Sequence, residues 1–129
     1  MGTYHNTSEL GVLGEEIGCR YLKDKGYQIL AVNYCNSLGR RLGEIDIVAK
    51  RGKEIIFVEV KSRLEKGTSD VLPEVNITRE KLRKLDRIAQ CYLRENRYES
   101  SPYHFDAIAL LYDVKLKKAS IRHLEHIFF

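Results

Sequence analysis

Apolar positions recur at helical spacing in two stretches of the chain. The first covers residues 8–25 and ends at Gly26, a residue that stops helices. Its apolar side is made of Leu10, Leu13, Ile17 and Tyr21. The second is predicted to begin after Thr78 as N-cap and to reach about Asn96. Its inward side chains are Leu82, Leu85, Ala89, Tyr92 and Leu93.

Shorter β-rich runs predict five strands, at residues 27–33, 43–49, 54–61, 104–112 and 119–125. Residues 50–53 contain Gly52 and form a short turn, so the second and third strands are expected to pair as an antiparallel hairpin. Residues 62–77 lack periodicity and are predicted to form a long loop that could close over a substrate. The resulting order, αβββαββ, predicts an α/β fold with a mixed sheet flanked by helices.

Composition limits the class of protein to a single folded domain, residues 1–129, with a flexible N-terminus at residues 1–8. Hydrophobic residues make up 43% and charged residues 31% of the chain, which is ordinary for a globular domain. No apolar run is long enough to cross a bilayer, and no signal peptide is recognised at the N-terminus, so we expect no membrane association and a cytoplasmic location. Three cysteines without CxxC spacing are expected to be reduced and half-buried.

Two carboxylates interrupt the most apolar strands of the predicted sheet. Asp46 lies between two isoleucines and Glu59 between two valines. Because side chains alternate along a strand, Asp46 shares a face with Glu44 and Val48, opposite Ile45, Ile47 and Ala49. Glu59 shares a face with Lys61 on the next strand. A buried carboxylate is costly without a partner, and the hairpin brings the two together. We therefore predict a site for Mg²⁺ or Mn²⁺ held by Asp46 and Glu59, in preference to a metal-free buried salt bridge.

The spacing of these residues, Asp46 followed by Glu59-Val60-Lys61, resembles the PD-(D/E)xK nuclease superfamily. The setting is more specific than the triad: residues 43–47 read Gly-Glu-Ile-Asp-Ile, and residues 57–63 read Phe-Val-Glu-Val-Lys-Ser-Arg. With these come Gly14-Glu15-Glu16, Tyr21-Leu22, Gly26-Tyr27 and Phe105-Asp106. Together they resemble the YraN family, the UPF0102 group of bacterial proteins, from about Gly11 to the C-terminus.

The resemblance implies a restriction-endonuclease-like, three-layer fold related to archaeal Holliday junction resolvases. It also implies that Asp46 and Glu59 are metal ligands and that Lys61 is the catalytic lysine. Glu15 matches a first-helix glutamate that many such nucleases add to the site. Gly11 and Gly18 leave the helix bare around Glu15, which favours close approach to the sheet; the alternative is an exposed surface glutamate.

Other polar residues have weaker assignments. Gln90 lies where related nucleases place a supporting glutamine, although Arg94 stands where an aromatic residue is expected. Glu44 could be a spare ligand, or could cap the strand or pair with Arg41. Asp106 is expected to make structural hydrogen bonds. The four histidines, His5, His104, His123 and His126, are expected at surface or edge positions without a carboxylate cluster nearby and not as zinc ligands.

A net charge of +4 is compatible with a polyanionic partner. Phosphate contacts could come from Arg40, Arg41, Arg63, Lys66, Arg79, Arg83 and Gln90. No motif for base readout is present, so sequence-specific recognition is not expected. The resemblance to the nucleases and resolvases implies a metal-dependent endonuclease that hydrolyses phosphodiester bonds in DNA, including branched or otherwise structured DNA. The alternative is a non-catalytic nucleic-acid-binding module on the same fold. A homodimer is expected only by analogy with the resolvases.

Overall fold

A computed structural model describes residues 7–35, 43–65 and 72–127, with backbone alone for Thr7 and Ser8. Seven elements follow the order αβββαββ predicted from the sequence. They are α1 (Thr7–Asp24), β1 (Gln28–Tyr34), β2 (Ile45–Arg51), β3 (Glu54–Leu64), α2 (Arg79–Glu95), β4 (Tyr103–Asp113) and β5 (Lys118–Leu124). The proposed flexible N-terminus lies outside the described residues, apart from the start of α1.

The helix boundaries follow from local backbone chemistry. Gly26 has a φ of +95°, and the N–H of Tyr27 bonds the carbonyl of Leu22 at 2.9 Å, which closes the C-terminus of α1. At the start of α2 the side chain of Thr78 accepts a hydrogen bond from the N–H of Lys81 at 3.1 Å. Both predicted end signals are confirmed. The predicted loop begins too early, because β3 continues through Leu64 by pairing with β4.

The strands form one mixed sheet in sequence order, β1-β2-β3-β4-β5. Three neighbouring pairs are antiparallel, and β3 and β4 are parallel because α2 crosses between them. In the β2–β3 hairpin, Arg51 pairs with Glu54 and Ile47 with Val58. On the other side of β3, Glu59 lies opposite Ala107. Strand β3 is therefore central, and its two neighbours run in opposite directions.

Each face of the sheet is covered by one helix, which gives the three-layer α/β fold. Side chains of β3 alternate strictly: Ile56 and Val58 face α1, whereas Ile55 and Phe57 face α2. The α1-side core consists of Leu22, Tyr27, Ile47, Ala49, Ile56, Val58 and Ile108. The α2-side core consists of Ile45, Val48, Ile55, Phe57, Leu82, Leu85, Ile88, Ala89, Tyr92 and Leu93. Burial on both faces explains why β2, β3 and β4 are nearly continuous apolar runs.

The alternation predicted for β2 is wrong at its first residue. Ile47 and Ala49 pack on the α1 side as expected, but Ile45 packs on the α2 side. The β2–β3 register ends at Ile47 and Val58, so the first two residues of β2 pair on one side only, where Ile45 lies opposite Tyr34 of β1. This irregular end of β2 is where Asp46 lies.

None of the helices in the described part of the chain is long and apolar enough to cross a membrane.

Candidate functional site

Asp46 occupies the place where β2 and β3 separate. Continued by two more pairs, the β2–β3 register would set Asp46 opposite Glu59 and Ile45 opposite Val60. The N–H of Val60 instead donates a 2.7 Å hydrogen bond to Oδ2 of Asp46. A side-chain carboxylate has thus replaced a strand partner, which fixes Asp46 at the opening between the two strands. We call this end of the sheet the open end. It contains the start of β2 and the part of β3 from Glu59 to Lys61.

Three carboxylates meet at the open end. Oxygen atoms of Glu15, Glu44 and Asp46 all lie within 4.8 Å of one another. Glu15 comes from α1 and also shares side-chain hydrogen bonds with Asn33 and Asp46. Asn33 belongs to β1 and has a left-handed φ of 54°. The sequence did not single out Asn33, since an asparagine near the end of a strand carries no distinctive signal.

The electrostatic cost of this cluster falls mainly on Asp46. Burial raises the pKa of Asp46, and the negative charge of Glu59 raises it further, to about 7, while the Val60 hydrogen bond opposes the rise. Burial also raises the pKa of Glu15 above its usual 4.5, with a further contribution from Glu44. Carboxylates with raised pKa values lack a compensating positive charge. Such a group is stabilised by a bound cation.

Close packing of α1 on β3 brings Glu15 to the cluster. A Cβ placed on Gly14 would clash with the hydroxyl of Ser62 and lie 3.1 Å from its Cβ. A Cβ on Gly18 would lie 3.3 Å from Ile47. The predicted importance of Gly18 agrees with this packing. A Cβ placed on Gly11 would meet no other described residue within 4 Å. The glycine that allows close packing beside Glu15 is therefore Gly14 and not Gly11.

Glu59 faces the α2 side of the open end. Together with Asp46 and Glu44 it lines a cleft of about 570 Å³ between the sheet and the first turns of α2. Its carboxylate Oε2 lies 2.8 Å from the ammonium Nζ of Lys81. The structure thus brings the predicted ligands Asp46 and Glu59 to one cleft, but it pairs Glu59 with a helix lysine. Sequence reasoning missed Lys81, because only the crossover of α2 places it beside β3.

Lys61, the predicted catalytic lysine, is exposed near the end of β3. It is not among the described residues that line the cleft with Asp46 and Glu59. Its place two residues beyond Glu59, in a strand that alternates regularly, keeps it on the α2 side of the sheet.

The donor set at the open end suits Mg²⁺ or Mn²⁺. Both ions prefer oxygen ligands, and Mg²⁺ is commonly held by one or two carboxylates with water and phosphate oxygens completing the shell. Asp46 supplies such carboxylates together with Glu15 and Glu44, or together with Glu59. The cleft makes them accessible to solvent.

The predicted phosphate-binding residues are distributed unevenly. Arg79 and Arg83 are exposed one turn apart at the start of α2, near Lys81, and Arg63 is exposed near the end of β3. Arg40, Arg41 and Lys66 lie outside the described residues, as does the pairing of Glu44 with Arg41. All of these assignments stay predictions.

Gln90 lies away from the open end. Its amide donates a 2.6 Å hydrogen bond to the hydroxyl of Tyr103, which in turn donates to Asp86 at 2.8 Å. Nine residues separate Gln90 from Lys81, which corresponds to about 13 Å along a helix. Gln90 therefore links α2 to the start of β4, and its predicted contact with nucleic acid gains no support from this position.

The expected surface or edge position is wrong for His104, which is buried in β4, whereas His123 lies on the edge strand β5 but has a carboxylate beside it, contrary to expectation. Both side chains are only 9% exposed, and both contact Asp106. Oδ2 of Asp106 lies 2.7 Å from Nε2 of His123, and Oδ1 accepts a hydrogen bond from the N–H of His126 at 3.0 Å. These histidines converge because β4 and β5 pair and the chain then turns back, which spacing alone did not indicate. The predicted structural role of Asp106 is confirmed. His5 lies outside the described residues.

The three cysteines form no disulfide, as expected: Cys19 and Cys91 are half-buried, whereas Cys35 is exposed.

The fold and site together define a three-layer α/β protein with a carboxylate cluster at one end of a mixed sheet. The chain belongs to the family UPF0102, described as "Uncharacterised protein family UPF0102", which it matches over residues 14–110. The membership expected from the sequence motifs is thereby confirmed.

Relatives called "UPF0102 protein" extend this match over most of the chain. The relative from Pelotomaculum thermopropionicum is 39% identical over 119 residues, which cover 92% of this chain and 94% of the relative. The relative from Caldicellulosiruptor saccharolyticus is 36% identical over 124 residues, 95% of this chain and 99% of the relative. That from Thermotoga maritima is 46% identical over 83 residues, 64% and 69% of the two chains. These names state a family and no activity.

Proposed function

We propose that this protein is a Mg²⁺- or Mn²⁺-dependent endonuclease that hydrolyses phosphodiester bonds in DNA. The observation that carries the proposal is the half-buried Asp46, which clusters with Glu15 and Glu44, lines one cleft with Glu59, and has its pKa raised to about 7. A structural aspartate would be expected to have a cationic or hydrogen-bonding partner that lowers its pKa. At Asp46 the hydrogen bond from Val60 does not offset the rise, and the residue faces other carboxylates beside an open cleft, which favours a cation-binding role.

The roles of the residues follow from their positions. Asp46 and Glu59 would hold the cation, with Glu15 of α1 and Glu44, which precedes β2, as further oxygen donors. When bound, the cation would neutralise phosphate charge and lower the pKa of a coordinated water. Lys61, exposed at the end of β3, would orient the attacking water and stabilise the developing negative charge. Arg79 and Arg83 would position the phosphate backbone without reading bases.

One observation favours the alternative, a non-catalytic nucleic-acid-binding module. The ammonium of Lys81 lies 2.8 Å from Glu59, where it neutralises one of the two predicted metal ligands. If that pair persists with substrate, the cleft would hold a phosphate between Lys81 and Lys84 without hydrolysing it.

The proposed partner is DNA, with branched or otherwise structured DNA as the preferred form, and the proposed location is the cytoplasm. A branched substrate is also the reason to propose a homodimer, since two symmetric cuts need two sites.

The test is cleavage of labelled linear, single-stranded, flapped and four-way branched DNA, with matching RNA, in Mg²⁺, Mn²⁺ or EDTA. Wild type is compared with Asp46→Asn and Lys61→Met. Asp24→Asn and Lys53→Met are matched controls, since Asp24 and Lys53 are exposed residues outside the cleft. DNA binding is measured in parallel by fluorescence anisotropy across a range of salt concentrations.

Metal-dependent cleavage that falls on the order of 100-fold or more in Asp46→Asn and Lys61→Met, but not in the controls, would support the endonuclease. Cleavage of RNA alone would contradict the proposed substrate. Absence of cleavage by wild type, with salt-sensitive DNA binding that Asp46→Asn retains, would establish the binding module instead.

A further inference from the structure

A second cluster of potential ligands lies at the other end of the sheet. Donor atoms of Glu54, His104 and His126 lie within 4.8 Å of one another. Glu54 begins β3, His104 is the second residue of β4, and His126 follows β5. Glu54 is five residues before Glu59 on β3, about 17 Å along an extended strand. This His-Glu cluster, as we call the three residues, is therefore separate from the open end.

The imidazole of His104 has unmet bonding capacity inside the protein. Its side chain is nine-tenths buried, and neither ring nitrogen has a hydrogen-bond partner among the described residues. Nδ1 lies 3.4 Å from Oε2 of Glu54, and Nε2 lies 3.1 Å from Oδ1 of Asp106. These are ion-pair distances without hydrogen-bond geometry. The free-energy cost of burying this imidazole is therefore not offset by a hydrogen bond.

Asp106 lies beside His104 where a metal-binding histidine usually has a carboxylate, 3.1 Å from Nε2, although the two groups lack hydrogen-bond geometry. Its carboxylate is fully buried and is fixed by His123 and by the backbone N–H of His126. A carboxylate beside one nitrogen of a histidine fixes the ring and leaves the other nitrogen to bind a metal. Asp106 at Nε2 of His104 therefore leaves Nδ1, the atom that faces Glu54, as the ligand.

His126 is placed to complete the donor set from the solvent side. Its ring stacks on His104 with centroids 3.7 Å apart, and its backbone has a left-handed φ of 53°. Stacked rings direct their lone pairs along parallel planes, so both can reach one ion only after one ring turns. Since His126 is exposed and His104 is buried, binding of one ion by both rings requires the ring of His126 to turn.

We propose that Glu54, His104 and His126 bind a divalent transition-metal ion of the Zn²⁺ type. Two imidazoles and one carboxylate form a His₂Glu set, which suits Zn²⁺ and its neighbours far better than the oxygen-preferring Mg²⁺. Bound there, the ion fastens the segment after β5 to the first residues of β3 and β4. The site is structural, and it is independent of the proposed nuclease.

The test is isothermal titration calorimetry of metal-stripped full-length protein with Zn²⁺ in the presence of excess Mg²⁺. His126→Asn and Glu54→Gln each remove one ligand at a position that is exposed or partly exposed, so both variants are expected to fold. Glu125→Gln is the matched control, since Glu125 neighbours His126 but pairs with Arg51. Asp46→Asn tests independence from the open end. Absorption spectra of the Co²⁺ form distinguish nitrogen and oxygen ligands from the free cysteines.

We expect one Zn²⁺ per chain, a Co²⁺ spectrum without thiolate charge-transfer bands, and an increase in Tm on binding. Affinity should fall on the order of 100-fold in His126→Asn and Glu54→Gln and stay unchanged in Glu125→Gln and Asp46→Asn. No Zn²⁺ binding by wild type, equal affinity in all variants, or thiolate bands with Co²⁺ would each overturn the proposal. None of these results depends on cleavage of DNA.

Discussion

Asp46 and Asp106 are aspartates in neighbouring parts of one sheet, yet their surroundings shift their pKa values in opposite directions. Burial raises the pKa of Asp46, and the charge of Glu59 adds to it, giving a value of about 7. Burial acts on Asp106 in the same sense, but the hydrogen bonds from His123 and the N–H of His126 outweigh it and lower the pKa below 3.8. The first aspartate faces carboxylates, and the second faces imidazoles.

The difference shows how to separate a structural carboxylate from a functional one. Hydrogen bonds from the protein itself compensate the charge of Asp106. Asp46 accepts one backbone hydrogen bond, and the groups clustered with it are carboxylates. Asp106 is fully buried and Asp46 half-buried, but burial raises the pKa of both and so does not explain the opposite shifts. What distinguishes them is whether the fold supplies the compensating partner or leaves it to be bound from solution.

The largest expected effect comes from removing the satisfied aspartate. Asp106→Ala leaves two buried histidines facing a void and should lower the free energy of unfolding by about 3–5 kcal/mol at pH 7. The contribution of Asp106 is present above its unfolded pKa and is lost as the pH falls through the lower folded value, so the penalty should shrink in acid. Urea denaturation in EDTA at pH 7 and pH 3 measures this loss in the free energy of unfolding. Asp24→Asn is the control, and an equal loss at both pH values would contradict this account.

The opposite sign is expected at Asp46. The pKa of Asp46 is about 7 in the folded protein, compared with its usual 3.8, so its ionisation opposes folding. The protein therefore loses stability as the pH rises from about 4 through 7. Asp46→Asn keeps an acceptor for the Val60 N–H and removes the charge. It should stabilise the protein by about 2–4 kcal/mol at pH 8 and have little effect at pH 4.

Thermal or urea denaturation in EDTA at the two pH values measures this gain. Added Mg²⁺ should stabilise wild type at pH 8 and leave Asp46→Asn unchanged, if Asp46 binds the cation. A variant less stable than wild type at pH 8 would show that Asp46 is a structural residue like Asp106.

A smaller effect is expected at the start of α2, which lines the cleft at the open end. Thr78→Ala removes the side-chain acceptor for the N–H of Lys81 and should cost about 1 kcal/mol. Thr78→Ser keeps the hydroxyl and should cost much less. The same urea series measures both, and equal losses in the two variants would mean that packing of the threonine methyl matters more than the cap.

The smallest effect concerns Lys81, the cation that contacts Glu59 among the residues the structure describes. Lys81→Gln removes the ammonium 2.8 Å from Glu59 and should increase affinity for Mn²⁺ about two- to five-fold, because a half-exposed ion pair is worth less than about 1 kcal/mol. Lys84→Gln is the matched control, since Lys84 lines the same cleft but pairs with Glu80. Calorimetric titration with Mn²⁺ compares them. Weaker binding in Lys81→Gln would mean that Lys81 supports the site instead of competing with the cation.

Periodicity in the sequence determined the element order, the end of α1 at Gly26, the N-cap at Thr78 and the apolar character of the central strands, because these depend on neighbouring residues. The charges at Asp46 and Glu59 were visible for the same reason, as they interrupt apolar runs.

Tertiary structure alone decided where the polar residues meet. The separation of β2 from β3 turned Asp46 toward Glu15, the crossover of α2 set Lys81 against Glu59, and the pairing of β4 with β5 gathered histidines around Asp106. These contacts join residues far apart in the chain, and no local pattern encodes the register that brings them together. The physical reason is that a carboxylate's environment depends on its neighbours in space, whereas periodicity records only its neighbours in sequence.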